Sequence, residues 1–115
     1  MKTLLIPTDF SPAAFNAARY AADMALTIDA NMILLHIYQL PVVYAEVPMA
    51  YTEEGMRQEA EKEMRGFKNE LILKTGGKII IKTEIRKGAF FPELEAVCER
   101  IKPYSVVMGS QALRL

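Results

Sequence analysis

The sequence has little of several features that mark specialised classes of protein. Cys98 is its single cysteine, so an internal disulfide is excluded, and no CxxC pair or Cys/His cluster is present to form a thiolate-rich metal site. Fourteen basic and fourteen acidic residues cancel, so no global charge attracts nucleic acid or an anionic membrane. Residues 1–8 hold one lysine and a short apolar stretch, far less than a signal peptide or a membrane span needs. We therefore expect a cytoplasmic protein without a metal, membrane or nucleic-acid partner.

Hydrophobic residues make up 51% of the chain, which is enough for one compact core and predicts a single domain over residues 1–115. Apolar runs and alternating patterns predict strands, while apolar residues at helical spacing predict helices. The predicted strands cover 4–6, 32–38, 78–86 and 105–108, and the predicted helices cover 11–28, 52–75 and about 92–102. This order predicts an α/β fold with an open parallel sheet, right-handed crossovers and helices on both faces. The alternating third strand is expected at a sheet edge with a partly wet face.

The turn after the first strand is the first candidate for recognition. Pro7 ends the apolar run, and Ser11 followed by Pro12 is typical of a helix N-cap and first helical position. Thr8 and Asp9 lie between them, at the carboxyl end of the strand, where ligands of α/β sheets usually bind. Asp9 and Ser11 are equally common as turn and capping residues, so the pattern alone leaves a ligand role and a structural role both open.

The remaining chemically active side chains favour structural interpretations. His36 interrupts the second strand, where a lone histidine is more often a packed, hydrogen-bonded residue than a catalytic group. Cys98 falls on the apolar face of the third helix, without a neighbouring cation to stabilise a thiolate. The stretch 39–51 is expected to be a loop that shapes a pocket beside Asp9. No nucleophile with a histidine partner and no Walker-type sequence is present, so no catalytic residue is predicted and the chain is not expected to be an enzyme.

The first strand and turn also carry a family resemblance. The segment KTLLIPTDFS, residues 2–11, resembles the opening of universal stress proteins, which begin with a short strand and a Pro-(Thr/Val)-Asp-x-Ser turn. The resemblance extends over essentially all 115 residues. It implies a Rossmann-like fold of the adenine nucleotide alpha hydrolase type, with strand order 3-2-1-4 and without the usual last helix and fifth strand. In that order Asp9 and Gly109 flank the point where the winding of the sheet reverses.

The resemblance implies a nucleotide site of which only one half matches. By resemblance, an adenine and ribose pocket would use Pro7, Thr8 and Asp9 together with the backbone near Ile37. Nucleotide-binding members carry the pattern Gly-x2-Gly-x9-Gly-(Ser/Thr) after the fourth strand, where glycines let backbone N–H groups approach phosphates.

Gly109 and Ser110 match the opening of that pattern, but Ala112 stands where the second glycine is expected, and the rest would lie after Leu115. The resemblance therefore implies a stress-response domain that acts as a binding or interaction module, with weak or absent nucleotide binding. The alternative is an ATP-binding protein, with slow hydrolysis, whose phosphate site a partner subunit or downstream chain completes. No cofactor is certain, and ATP or another adenine nucleotide is the candidate ligand.

The fourth strand predicts self-association. In the implied strand order it lies at a sheet edge, yet residues 106–108 are apolar and lack the charges or proline that normally protect such edges. Without the family's last helix, part of the adjacent sheet face would also be bare. We expect a homodimer or a larger homo-oligomer that covers strand four and this face.

Overall fold

Four parallel strands form one sheet in the computed structural model, which describes residues 1–39 and 52–109. The strands are β1 (Thr3–Pro7), β2 (Asn31–Tyr38), β3 (Ile81–Lys87) and β4 (Ser105–Val106), and the helices are α1 (Pro12–Ile28), α2 (Glu53–Thr75) and α3 (Phe90–Ile101). The strand order is β3-β2-β1-β4, with every neighbouring pair parallel. The α/β fold class and the order 3-2-1-4 are therefore confirmed. None of the helices in the described part of the chain is long and apolar enough to cross a membrane.

The central strand β1 is buried on both faces. Leu5 pairs in register with Ile33 of β2 and Val106 of β4, and it is fully buried together with Leu4 and Ile6. Alternate side chains of a strand point to opposite faces, so this unbroken apolar run requires a helical layer on each side. The helices supply those layers, α1 and α2 against one face and α3 against the other.

Helix α1 packs closely because its inner face is made of alanine. Ser11 caps the helix, its Oγ accepting a hydrogen bond from the N–H of Ala14 at 3.2 Å, and proline occupies the first helical position. The buried side chains of the helix are Ala14, Ala18, Ala21, Ala22 and Ala25. Leu26 directly follows the buried Ala25 but is 40% exposed. Successive helical residues are about 100° apart, so the stripe centred on the alanines turns Leu26 outward.

Helix α2 completes the first layer with larger side chains. Thr52 caps it, its Oγ1 accepting from the N–H of Gly55 at 3.0 Å. Four of its residues recur at helical spacing and are buried in the core: Ala60, Met64, Phe67 and Leu71. The helix ends where Gly76 adopts φ +63°, a left-handed conformation that glycine adopts readily. Met64 and Phe67 of α2 are thus core residues, whereas Met56 in the first turn is only partly buried.

The second face of the sheet, which α3 covers, has a smaller buried cluster than the first. Its buried cluster consists of Leu5, Leu35 and Val97, with Cys98 partly buried against it. Cys98 therefore lies on the inward face of α3, as the helical spacing predicts.

The clearest differences from the predicted boundaries are the starts of α3 and β3 and the end of β4. Helix α3 begins at Phe90 instead of Pro92, because first-turn N–H groups have no intrahelical acceptor and proline is tolerated there. Strand β3 begins at Ile81 instead of residue 78, since the chain is still turning: the N–H of Lys78 donates to the carbonyl of Thr75 at 3.2 Å.

Ion pairs tie the start of α3 to the edge strand β3. Arg86 lies between two carboxylates, with Nε 2.7 Å from Glu93 Oε1 and Nη1 3.1 Å from Glu84 Oε2. Glu84 also accepts from Arg100 Nη2 at 2.6 Å. Partial burial opposes ionisation of Glu84 and is the largest single influence on its pKa, but the hydrogen bonds from Arg100 and Arg86 together outweigh it and lower the pKa. The network holds both ends of α3 against β3 while Glu84 stays ionised.

Candidate functional site

The turn between β1 and α1 is closed by three side-chain oxygens. Thr8 Oγ1 accepts from the N–H of Phe10 at 3.0 Å, Asp9 Oδ1 accepts from the N–H of Ser11 at 2.9 Å, and Ser11 Oγ caps α1. Hydrogen bonds from the side chain and backbone of Ser11 lower the pKa of Asp9, against a smaller opposing effect of burial. Asp9 is exposed and carries a negative charge at neutral pH. It therefore has the structural role that the sequence allows, while its carboxylate remains accessible to a ligand.

The conformation of the turn is held by aromatic packing. Phe10 has φ +64°, a left-handed conformation that costs a non-glycine residue about 1–3 kcal/mol. Its ring lies 4.5 Å from the ring of His36 and 6.0 Å from that of Phe67, centroid to centroid. His36 Nδ1 lies 2.8 Å from the carbonyl oxygen of Thr8, and because that oxygen only accepts, Nδ1 carries the proton. His36 is thus the packed, hydrogen-bonded residue that its position predicts, and it anchors the turn to β2.

A cleft of about 160 Å³ opens where β1, β2 and β4 end and α1 and α3 begin. It brings together every site residue predicted from the sequence within the described part of the chain, namely Pro7, Thr8, Asp9, Ile37 and Gly109. The sixth predicted residue, Ser110, lies outside the described residues, as does the predicted pocket loop except for Gln39. The shared location of these residues is a structural fact, and their contact with a ligand stays a prediction.

Gly109 follows β4 and packs against the first turn of α1. A Cβ at this position would lie 2.8 Å from the carbonyl carbon of Ala13 and 2.9 Å from the nitrogen of Ala14. Real side chains essentially never make such short contacts with backbone, so the close approach requires glycine. One wall of the cleft is therefore formed where the chain after β4 packs closely against the backbone of α1.

Sequence reasoning missed several residues of the cleft: Ser11 as a lining residue, Ala13, Ala14, Phe90 and Met108. Phe90 differs from the predicted site residues in its place in the chain. It is the first residue of α3 and follows the edge strand β3, whereas the predicted residues lie at the ends of β1, β2 and β4. The carboxyl ends of parallel strands share one edge of a sheet, and that rule applies to the loop after β3 as well. That rule places the loop after β3 at the correct edge of the sheet, but the approach of Phe90 to the cleft also depends on where α3 crosses the sheet.

The cleft combines one carboxylate and two hydroxyls with apolar side chains. Within the described residues, no group of three or more His, Cys, Asp or Glu side chains is placed to hold a metal ion. Asp9 and Ser11 lie towards the α1 side, whereas Ile37, Phe90 and Met108 are the large apolar lining residues. Such a site fits a small organic molecule that has both a polar and an apolar part.

The molecule is an α/β domain with an open parallel sheet and a cleft at its switch point, where such sheets usually bind ligands. The family model described as the universal stress protein family matches residues 1–115, and the chain belongs to that family. A comparison with curated protein sequences found no significant match.

Solved structures of universal stress proteins share the fold at low sequence identity. The universal stress protein UspA from Lactobacillus plantarum is 21% identical with a TM-score of 0.76, over 92% of this chain and 74% of that one. A universal stress protein family member from Burkholderia pseudomallei is 16% identical with a TM-score of 0.77, over 99% and 86%. A universal stress protein in complex with cAMP is 17% identical with a TM-score of 0.69, over 99% and 80%.

Proposed function

We propose that this chain is a cytoplasmic stress-response domain that acts as a binding or interaction module and holds an adenine nucleotide weakly or not at all. The observation that carries the proposal is the cleft at the switch point, which contains Asp9 and Gly109 but measures only about 160 Å³. Sites that enclose a drug-sized ligand usually measure about 300–1,000 Å³. The cleft therefore fits a nucleoside-sized fragment better than a complete nucleotide.

Charge also weighs against a triphosphate. Asp9 is ionised and exposed at the cleft, so it repels phosphate oxygens while offering a hydrogen-bond acceptor to sugar hydroxyls. The sequence supplies Gly109 but has Ala112 in place of the second glycine of the phosphate pattern. The residues present suit the adenosine end of a nucleotide, and they provide little for its phosphates.

A functional ATP binder, with slow hydrolysis, is the second candidate. The similar structure in complex with cAMP favours it, since that protein accommodates a cyclic adenine nucleotide on the same fold. For this chain, a partner subunit or downstream chain would have to complete the phosphate site beside Gly109. Tight binding of ATP would then depend on that added element.

Calorimetric titration separates the two candidates. We expect the 115-residue chain to bind MgATP no better than about 1 mM, equivalent to about 4 kcal/mol, because oriented phosphate donors are few. Asp9→Ala should weaken adenosine binding, because it removes the acceptor for the sugar hydroxyls, and should not weaken the response to inorganic phosphate, which the carboxylate repels. Micromolar binding of MgATP would refute the proposal and favour the second candidate.

We also propose that the chain forms a homodimer or larger homo-oligomer through β4. Val106 is 37% and Met108 38% exposed at this edge of the sheet, and neither carries a charge that would discourage pairing. Val107 points to the other face of the sheet, where it packs against the core that α1 and α2 cover. Its N–H donates to the carbonyl of Leu5 at 2.9 Å. Val106 is therefore the better position at which to test the edge.

Val106→Lys should convert the assembly to a monomer, because a lysine buried in a subunit interface leaves an unpaired charge. Light scattering coupled to size exclusion at micromolar concentration measures the mass. Thr83→Lys is the matched control, since Thr83 is exposed on β3 at the opposite edge and its replacement should leave the mass unchanged. A folded, monomeric unmodified protein would contradict the proposed assembly.

A further inference from the structure

Two adjacent phenylalanines begin α3 without being buried in the core. Phe91 is 72% exposed and Phe90 36% exposed, and Phe90 lines the cleft. Their rings lie 5.1 Å apart at 83°, an edge-to-face arrangement. Neither belongs to either cluster of core side chains. The core does not account for the aromatic side chain at position 90.

The first turn of α3 is tied to the edge strand β3. Arg86 of β3 binds Glu93, one turn into α3, at 2.7 Å, so the first turn is tied to the sheet. Gly88 leads into it with φ +148°, and a Cβ there would lie 2.7 Å from the side chain of Glu93. The position of Phe90 beside the cleft is therefore set by the backbone and an ion pair together.

The surroundings of Phe90 in the cleft suit a flat apolar ligand. Ile37 and Met108 also line the cleft, and the thioether of a methionine packs favourably on aromatic rings. The carboxylate of Asp9 provides the polar part of the same cleft. An aromatic base joined to a sugar has this combination, a flat π face at one end and hydroxyl donors at the other.

We propose that Phe90 is the specificity-determining residue of the cleft, and that its ring stacks on the base of an adenine nucleoside whose ribose hydroxyls face Asp9. This inference rests on the proposed binding function and adds the source of its selectivity. Affinity then comes from the base and sugar, and a ligand that lacks the base is rejected. The preference is for planar aromatic ligands, since stacking requires a π face but tolerates different bases.

Amide chemical-shift titration of the ¹⁵N-labelled chain tests this assignment. Phe90→Leu keeps an apolar side chain but removes the ring, and it should weaken adenosine binding roughly ten-fold. Phe90→Trp should restore binding to within about two-fold of the unmodified protein. Phe91→Leu is the matched control at the neighbouring position, where the change should be below about two-fold. Ribose 5-phosphate should bind at least roughly ten-fold more weakly than adenosine.

The outcomes separate this inference from the function on which it rests. If adenosine shifts the amides of the cleft in the unmodified protein but Phe90→Leu binds it equally well, the role of Phe90 is refuted and the binding function stands. Equal losses in Phe90→Leu and Phe91→Leu also refute it. If adenosine shifts no cleft amide in the unmodified protein, the role of Phe90 is refuted, while a module that binds no nucleotide remains consistent with the proposed function. A melting temperature of Phe90→Leu close to that of Phe91→Leu shows that the comparison concerns folded proteins.

Discussion

Leu34→Ala should lower the free energy of unfolding by about 2–5 kcal/mol. Leu34 lies in the middle of β2, is fully buried and belongs to the cluster that α1 and α2 cover. Truncation removes apolar contacts and leaves a cavity that a sheet held between two helical layers cannot collapse to fill. Urea denaturation followed by circular dichroism measures the change.

Leu73→Ala is the matched control for this substitution. Leu73 lies on α2 and is 81% exposed, so the same loss of atoms removes few contacts. Alanine is the best helix former, and the free energy of unfolding should change by less than about 0.5 kcal/mol. Similar losses at positions 34 and 73 would mean that β2 is not the buried strand on which the fold depends.

Gly109→Ala should destabilise the protein by about 1–3 kcal/mol, because the added methyl group meets backbone of α1 at 2.8 Å. Either the segment that follows β4 or the first turn of α1 must move, and both line the cleft. The substitution should therefore also weaken adenosine binding, whereas a purely local strain would change stability alone. Thermal unfolding together with an adenosine titration of the same variant provides both readouts.

Gly66→Ala is expected to change stability in the opposite direction from Gly109→Ala. Gly66 lies within α2 and is exposed, and a Cβ there would meet nothing within 4 Å. Replacing a helical glycine by alanine should stabilise the protein by about 0.5–1 kcal/mol. If Gly109→Ala proves as harmless as Gly66→Ala, the close approach of β4 to α1 is not a feature of the protein in solution.

The strands and helices follow from local patterns, but their arrangement does not. The unbroken apolar run at Leu4, Leu5 and Ile6 predicts a strand buried on both faces, and the alternation over residues 78–86 predicts an edge strand. Periodicity carries no information on which strands are neighbours, so the order 3-2-1-4 came from the family resemblance. The fourth strand is shorter than its apolar run predicts, since only Ser105 and Val106 form ladder pairs with β1.

The candidate site was predictable where topology determines it. Asp9 and Gly109 follow neighbouring parallel strands, so their convergence needs only the strand order. Phe90 follows the edge strand β3, and its place in the cleft depends on how α3 crosses the sheet and where that helix begins. No local pattern specifies that crossing. The missed residue is thus one whose position depends on tertiary packing.

We propose that the cleft between Asp9 and Gly109 is the ligand site of this universal stress protein domain. Mapping amide chemical-shift changes on the ¹⁵N-labelled chain during titration with adenosine tests it most directly. We predict that the largest changes occur at Thr8, Asp9 and Gly109, and that Asp9→Ala reduces them. Changes concentrated away from the cleft, or none at any adenosine concentration up to about 10 mM, would contradict the claim.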